Sequence, residues 1–317
     1  ELLAQAVPLT GTESVDTFEA DGRVLAQAIT SDLHVPPVDN SAMDGYACRH
    51  ADLAATGGRL RVAQRIPAGA TGAPLAPGTA ARIFTGAPIP PGADTVVMQE
   101  VCQASGDQVQ IPLDVPAGSN TRPAGEDIRA GRQVLDVGTH LGPQHLGLAA
   151  AVGVGELRVY RRLRVAVLAS GDELVMPGQP LGPGQIYNSN RFTLRGLLQG
   201  LGCEILDLGI IADSREATLA ALRRGAREAD LIVAIGALAT STTGASAACG
   251  GVSVGEEDHL KPAVEELGRL DLWRLAIRPG KPVAYGRVAE TPFFGSPGNP
   301  VSLFVTFCLL ARPLVLR

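Results

Sequence analysis

Polar residues that could bind a ligand are concentrated in residues 35–47, Val-Pro-Pro-Val-Asp-Asn-Ser-Ala-Met-Asp-Gly-Tyr-Ala. Two adjacent prolines disfavour a helix and hold the backbone extended. The polar residues 39–41 then favour a turn. Asp44 stands beside Gly45, which allows a backbone and a ligand to approach each other closely. On the residues alone, this run is equally compatible with a surface turn and with a loop-built site.

Two glycine-containing segments each precede a predicted helix. Residues 250–255 read Gly-Gly-Val-Ser-Val-Gly and lead into a helix predicted at 256–267. Backbone N–H groups at such a loop, together with a helix N-terminus, form a site for an anion. Residues 296–300 read Ser-Pro-Gly-Asn-Pro, in which Asn299 suits the N-cap and Pro300 the first helical position. Each segment is also an ordinary start of a helix, and both interpretations stay open on the residues alone.

Carboxylates follow three predicted strands of the C-terminal half. These are Asp172 and Glu173, then Asp213, then Glu256 and Asp258. The carboxyl ends of parallel strands meet at one edge of a sheet, and hard oxygen ligands suit Mg²⁺ bound with a phosphate substrate. A single acidic residue here is more often the N-terminal acid of a helix, so the hypothesis depends on their convergence. Arg278 and Lys281, in the turn Arg-Pro-Gly-Lys-Pro, could face anionic substrates or simply be solvated.

The elements that would position these residues differ between the two halves of the chain. The first half is predicted to be irregular and β-rich, because short alternating segments are separated by Pro/Gly turns. Its predicted strands are 61–66, 79–84 and 95–101, and its clearest late helix is 144–151. From residue 163, strands at 163–169, 204–211, 230–235 and 272–277 alternate with helices at 190–201, 214–229 and 256–267, before a final helix after Asn299. This alternation predicts an α/β domain with a parallel sheet covered by helices on both faces.

Composition excludes several classes of protein. With 317 residues, 45% of them apolar and 19% charged, the chain is expected to form two or three globular domains. A net charge of −5, with no Lys/Arg cluster, argues against a nucleic-acid partner. The apolar runs are too short to span a bilayer, and no signal peptide is recognised. Five widely spaced cysteines indicate a reducing, cytoplasmic location and argue against a zinc site.

The run Pro36 to Tyr46 resembles the signature of the molybdopterin molybdenumtransferases, the MoeA and gephyrin E-domain family. The segment 250–255 is similar to the glycine loop of the same transferases, whereas the related adenylating enzymes have a different loop. The resemblance covers nearly the whole chain. It implies two N-terminal domains in residues 1–162, one inserted at about 39–122. It implies a three-layer MogA/MoaB-like α/β domain at 163–311, with residues 312–317 beginning a C-terminal β-barrel domain that is absent from this chain.

One internal segment departs from the family pattern. Roughly a dozen small, uncharged residues within 235–248 are expected to be extra, which suits a mobile flap or a poorly ordered loop. They stand where members of the family pass almost directly from a strand to Gly250 and Gly251.

The resemblance also implies roles for individual residues. The expected catalytic residues are Asp44, Thr85, Asp127, Asp213 and Lys281. The residues expected to bind the pterin nucleotide are Ser170, Gly171, Gly250, Gly251, Ser253, Gly255, Arg278, Ser296, Pro297, Gly298 and Asn299. The expected ligands of Mg²⁺ are Glu173, Asp213 and Asp258.

The implied function is a step in molybdenum cofactor biosynthesis. Molybdenum from molybdate would be inserted into adenylylated molybdopterin (molybdopterin-AMP), with release of AMP and with Mg²⁺ as cofactor. The implied partner is a second copy of the chain, because the N-terminal motifs of the family reach the α/β domain of the other subunit; other proteins of the same biosynthesis are possible partners.

Two alternatives to this function remain, a related pterin-nucleotide or nucleotide hydrolase and a non-catalytic scaffold like gephyrin. The N-terminal motifs favour the transferase over a lone hydrolase domain, and the retained Glu173, Asp213 and Lys281 favour it over a scaffold.

Overall fold

The computed structural model describes residues 6, 8–236, 259–274 and 282–316. The chain divides into two compact units. The N-terminal unit is Ser14–Val159, and the C-terminal unit is Tyr160–Arg317 together with Glu1–Glu13. Within the described residues, no helix combines the length and the apolar character that a bilayer crossing requires.

The first part of the chain contains short strands and two helices. In chain order the elements are β1 (Thr12–Asp16), β2 (Ile29–Thr30), β3 (Asn40–Ser41), β4 (Gly45–Cys48), α1 (His50–Thr56), β5 (Arg59–Ile66), β6 (Thr79–Ile83), β7 (Thr95–Met98), β8 (Gln103–Ser105), β9 (Gln108–Gln110), β10 (Thr121–Arg122), β11 (Gln133–Leu135), α2 (Pro143–Ala151) and β12 (Glu156–Tyr160). Single turns of 3₁₀ helix lie at Thr17–Glu19 and Gln99–Val101.

The strands of the N-terminal unit are paired in two ways. Six of them form one sheet in the order β7-β4-β6-β5-β9-β8, and β1 pairs with β12, β2 with β11 and β3 with β10. The hydrophobic residues form separate cores. One core joins α2 to the flanking segments through Leu25, Leu141 and Val159, while the six-stranded sheet carries clusters around Tyr46 and around Ile83. The sheet therefore positions the residues around Asp44, because β4 begins at the next residue.

The C-terminal unit is a mixed six-stranded sheet with helices. Its elements are β13 (Arg164–Ser170), β14 (Leu174–Val175), β15 (Ile186–Tyr187), α3 (Asn190–Gly200), β16 (Glu204–Ile211), α4 (Arg215–Glu228), β17 (Leu231–Ile235), α5 (Leu260–Leu267), β18 (Gly268–Arg274), β19 (Pro282–Val288), β20 (Thr291–Ser296), α6 (Pro300–Thr306), a π-helical segment (Phe307–Ala311) and α7 (Arg312–Val315). The sheet order is β16-β13-β17-β20-β19-β18. The first four strands in this order are parallel, and β19 and β18 are antiparallel to their neighbours.

Alternation along the central strands produces three layers. Val165 and Val167 of β13 join one core with α3 and the last helical segments, whereas Ala166 and Leu168 join a second core with α4 and α5. Successive residues of a strand point to opposite faces of the sheet. Both faces of β13 are therefore covered by helices, which accounts for its almost unbroken apolar sequence. The α/β fold predicted from the sequence is confirmed.

The structure also corrects several boundaries. The strand predicted at 95–101 ends at Met98, and the next three residues form a 3₁₀ turn. The strand predicted at 272–277 begins earlier, at Gly268, and its described part ends at Arg274. The antiparallel strand β19 was not predicted. Residues 312–315 continue the last helix, and Leu314 packs in the core of the C-terminal unit.

Candidate active site

The Asp44 carboxylate is held by Thr85, a residue 41 positions later in the chain. Asp44 lies in the turn between β3 and β4, and Thr85 follows the end of β6. The antiparallel register of β4 and β6 places Gly45 opposite Ile83, which brings the two residues together. The backbone N–H and the hydroxyl of Thr85 both donate to Oδ1 of Asp44, at 2.8 Å and 2.7 Å. The sequence predicted a role for both residues but not their direct contact.

These bonds determine the protonation state of Asp44. The Thr85 N–H, then the Thr85 hydroxyl, lower the pKa of the carboxyl group. Partial desolvation opposes this effect, and the charge of Arg82 adds a further lowering. Asp44 is therefore a carboxylate at neutral pH and a weak base. Such a group is suited to orienting a donor, binding a cation, or accepting a proton from a strongly acidic group.

Asp127 is paired with Arg122. The single nitrogen Nη2 of Arg122 donates to both carboxylate oxygens of Asp127, at 3.0 Å and 2.8 Å, and Nε donates to Glu126 at 2.5 Å. Both acceptors, Glu126 first, raise the pKa of Arg122. The pairing of β10 with β3 places Arg122 opposite Asn40, four residues before Asp44. The structure thus brings the loop that contains Asp127 beside the segment that contains Asp44. Within that loop, Arg122 binds the carboxylates of both Glu126 and Asp127.

The predicted nucleotide-binding residues of the C-terminal unit meet at one edge of the sheet. Ser170 at the end of β13 is in register with Ile211 at the end of β16. Ile235 at the end of β17 is in register with Ser296 at the end of β20. Because these strands are parallel, residues 170–173, 213 and 296–299 all follow the carboxyl ends of the strands. That edge is where open α/β sheets bind ligands.

The side of the sheet on which new strands are added switches between β13 and β17. Close backbone packing marks this switch point. From β13 the chain adds β16 on one side and then β17 on the other. Gly236, directly after β17, has φ +118°, and a Cβ there would lie 2.5 Å from the carbonyl oxygen of Ser170. Gly171 has φ +142°, a conformation that L side chains rarely adopt. Glycine at both positions leaves room for the crevice that forms at such a switch point.

Two of the three predicted Mg²⁺ ligands lie at this edge. The Glu173 carboxylate lies against Gly171, since a Cβ on that glycine would be 2.4 Å from Oε2 of Glu173. The N–H of Asp213 donates to Oδ1 of Asp172 at 3.2 Å, so three carboxylates share the edge. This set of hard oxygen donors fits Mg²⁺ in chemical type. The part of the chain that the structure describes contains no group of three side chains already arranged to hold a metal ion.

The Ser296–Asn299 segment connects the end of β20 to the start of α6. Oδ1 of Asn299 accepts the N–H of Ser302 at 3.0 Å, which confirms the predicted N-cap. The side chain of Asn190 donates to the carbonyl of Gly298 at 2.5 Å, which ties the start of α3 to this segment.

Sequence reasoning missed Asn188 and Asn190. They are 2% and 8% exposed, and among the residues that the structure describes, Nδ2 of Asn188 and Oδ1 of Asn190 are buried without a hydrogen-bond partner. Buried polar atoms are normally hydrogen-bonded, so this donor and this acceptor are candidates to contact a ligand. The signal in the sequence was Asn-Ser-Asn at the start of a helix.

The remaining predicted site residues lie outside the described residues. They are Gly250, Gly251, Ser253, Gly255, Asp258, Arg278 and Lys281. The same holds for residues 237–248 of the segment predicted to be extra.

Two family models match the chain. One is described as "MoeA N-terminal region (domain I and II)" and matches residues 1–153. The other is described as "Probable molybdopterin binding domain" and matches residues 166–244 and 248–317. Together the two matches cover both compact units.

Individual proteins are similar over the same length. A molybdopterin molybdenumtransferase of Haemophilus influenzae is 42% identical over 319 residues, covering 100% of this chain and 75% of that protein. Molybdopterin molybdenumtransferase 2 of Mycobacterium tuberculosis is 39% identical over 324 residues, covering 99% of this chain and 76% of that protein. A crystal structure of a molybdopterin biosynthesis MoeA protein from Pyrococcus horikoshii superimposes with a TM-score of 0.83 at 32% identity, covering 99% of this chain and 77% of that one.

Proposed function

The chain belongs to the MoeA family of molybdopterin molybdenumtransferases, and from this premise we propose that it inserts molybdenum from molybdate into adenylylated molybdopterin. The enzyme thus acts in molybdenum cofactor biosynthesis, with a molybdopterin as its substrate. Molybdenum–sulfur bonds replace molybdenum–oxygen bonds, and the departing oxygen leaves as water. Water also cleaves the phosphoanhydride of the adenylylated pterin, which releases AMP.

The observation that carries this proposal is the common edge of the parallel strands. Ser170, Gly171 and the segment 296–299 meet there by strand register, and such an edge is the usual binding position for a nucleotide in an α/β sheet. The backbone of residues 296–299 would bind the adenylylated pterin, while the half-buried Asp213 and the carboxylate of Glu173 would hold a cation beside the phosphates.

Mg²⁺ completes the proposed site. It would be held by Glu173 and Asp213, together with Asp258, and when bound it would offset the negative charge of the phosphoanhydride and of the leaving phosphate. The residues at the strand ends would orient the nucleotide so that its phosphoanhydride lies beside these carboxylates.

The proposal is tested by incubating the protein with adenylylated molybdopterin and following AMP release with and without molybdate. We expect AMP release that depends on molybdate and is accompanied by molybdenum bound to the pterin. A hydrolase would release AMP at the same rate without molybdate, and a scaffold would release none. Sulfate at equal concentration is the matched control, because it has the same charge and shape but cannot be transferred to the dithiolene.

We also propose that the enzyme is a homodimer in which each active site takes residues from both subunits. The support is that the functional motifs are divided between two units of different architecture, with Asp44 in one and Asp213 in the other. Mixing an Asp44→Ala variant with an Asp213→Ala variant is therefore expected to restore about half of the wild-type activity per hybrid dimer, because each hybrid has one intact site of two. The measurement is AMP release after exchange of subunits. Hybrid dimers that form, as native mass spectrometry would show, but stay inactive would contradict the shared site.

The proposed location is the cytoplasm. Four cysteines of the described residues, Cys48, Cys102, Cys203 and Cys308, are free thiols. Burial is the main factor that raises the pKa of Cys48 to about 12 and of Cys102 and Cys203 to about 11. Cys48, Cys102 and Cys203 are therefore protonated and unreactive at neutral pH.

A further inference from the structure

Arg82 contacts the Asp44 turn from the neighbouring strand. It lies on β6 opposite Tyr46 of β4. Its Nη1 donates to the carbonyl oxygen of Gly45 at 2.8 Å and to that of Ile83 at 3.2 Å. One guanidinium nitrogen thus joins the residue that follows Asp44 to the strand that leads to Thr85.

The second guanidinium nitrogen reaches the other side of the turn. Nη2 of Arg82 donates to the side-chain oxygen of Gln99, the first residue after β7. The backbone N–H of Gln99 donates in turn to the carbonyl oxygen of Asp44 at 3.1 Å. The carbonyls of Asp44 and Gly45 are therefore both held by Arg82, one through Gln99 and the other directly.

The guanidinium also lies over the residue that precedes Thr85. Its central carbon is 4.5 Å from the centre of the Phe84 ring and 5.4 Å from that of Tyr46. A cation over the face of an aromatic ring is attracted by the ring quadrupole. Arg82 thus contacts both segments that are joined by the hydrogen bond between Asp44 and Thr85. It contacts the Asp44 segment through hydrogen bonds and the Thr85 segment through the Phe84 ring.

We propose that Arg82 is a positioning residue that holds Asp44 and Thr85 in the orientation required for molybdenum insertion. The inference rests on the proposed function, because it takes the Asp44 carboxylate as a group that acts on the substrate. A planar guanidinium with several fixed donors can bridge these segments, and the point charge of a lysine ammonium cannot replace it. The positive charge is also close enough to lower the pKa of Asp44.

The test begins with Arg82→Met, Arg82→Lys and the control Arg65→Met. Arg65 lies over the same Phe84 ring, also at 4.5 Å, so its replacement removes an equivalent cation from a strand that is not adjacent to β4 in the sheet. We expect kcat to fall by about 10- to 100-fold in both Arg82 variants, as for small misplacements of catalytic groups. The KM for adenylylated molybdopterin should stay within about twofold of wild type. Arg65→Met should keep near-normal kcat, and an equal loss in that variant would overturn the inference.

A double-mutant cycle with Asp44→Asn separates positioning from general damage. If Arg82 acts through Asp44, Arg82→Met in the Asp44→Asn background should lower single-turnover rates by less than about twofold, because coupled residues are non-additive. A full additive loss would show a merely structural role and overturn the inference. Should Arg82→Met fail to fold in thermal unfolding, the cycle with Arg82→Lys decides by the same criterion.

The same data distinguish this inference from the proposed function. Normal turnover in Asp44→Asn would contradict the catalytic role of Asp44 itself. Impaired turnover in Asp44→Asn with normal turnover in both Arg82 variants would overturn only the positioning role of Arg82.

Discussion

Asp44→Ala is expected to bind adenylylated molybdopterin about as tightly as wild type and to lose turnover by about 10²- to 10⁴-fold, the range for a positioned acid–base group. A carboxylate is poorly suited to holding an anionic phosphate, because like charges repel, so its removal should leave nucleotide affinity intact. The Thr85 N–H and hydroxyl both end on one oxygen of Asp44 and fix its direction. A group oriented in this way can act on molybdate placement or on the exchange of oxo groups for sulfur.

Calorimetry with the intact substrate, beside an assay of molybdenum-loaded pterin, separates binding from conversion. Asp44→Asn is the matched control, because it keeps the size and an acceptor oxygen for Thr85 while removing the charge. If Asp44 only closes its turn, Asp44→Asn would retain most of the activity, and the catalytic assignment would be wrong. Weakened substrate binding in Asp44→Ala would instead place the carboxylate in the nucleotide site.

The pH dependence of turnover gives a second measure of the same carboxylate. The pKa of Asp44 is lowered, first by the Thr85 N–H and then by the Thr85 hydroxyl. Activity that needs the ionised form should persist below the usual titration range of an aspartate and be lost as the pH falls through the lowered pKa. Thr85→Val removes the hydroxyl bond and keeps the N–H bond, so the loss should move to higher pH. An acid limb that does not move would show that Asp44 is not the titrating group.

The edge of the C-terminal sheet could be predicted because it depends on a regular pattern. Alternating strands and helices specify a parallel sheet, and parallel strands place their carboxyl ends together. Asp172, Glu173 and Asp213 follow such strand ends, so their convergence could be predicted without knowledge of side-chain contacts. The antiparallel strand β19 was missed because it adds to the outer side of the sheet, with no helix between it and β20.

The site around Asp44 was less predictable because its contacts cross between strands. The resemblance identified Asp44 and Thr85, but their hydrogen bond depends on the pairing of β4 with β6, which periodicity in a turn-rich region does not specify. The part played by Arg82 depends on three segments that are distant in sequence. An arginine in an alternating strand is most simply interpreted as a solvated residue, and only the structure shows which carbonyls it binds.

Asp213→Asn is expected to lower turnover by about tenfold or more while leaving the fold intact. Asp213 follows β16 at the edge where Ser170 and Glu173 also lie, and the substitution keeps its size while removing the charge that binds Mg²⁺. The hydrogen bond to Asp172 uses the backbone N–H of residue 213, which asparagine retains. The loss should therefore come from metal binding rather than from unfolding.

A titration with Mg²⁺ tests this explanation directly. In Asp213→Asn, the Mg²⁺ concentration needed for half-maximal AMP release should rise, and high Mg²⁺ should restore part of the activity, because the remaining carboxylates still attract the ion. Glu216→Gln is the matched control, since Glu216 is an exposed acid in the first turn of α4, three residues farther along the same segment. It should show wild-type turnover and the wild-type response to Mg²⁺. If Asp213→Asn behaves like this control at every Mg²⁺ concentration, Asp213 is not a ligand, and the acid at the end of β16 serves only the start of the next helix.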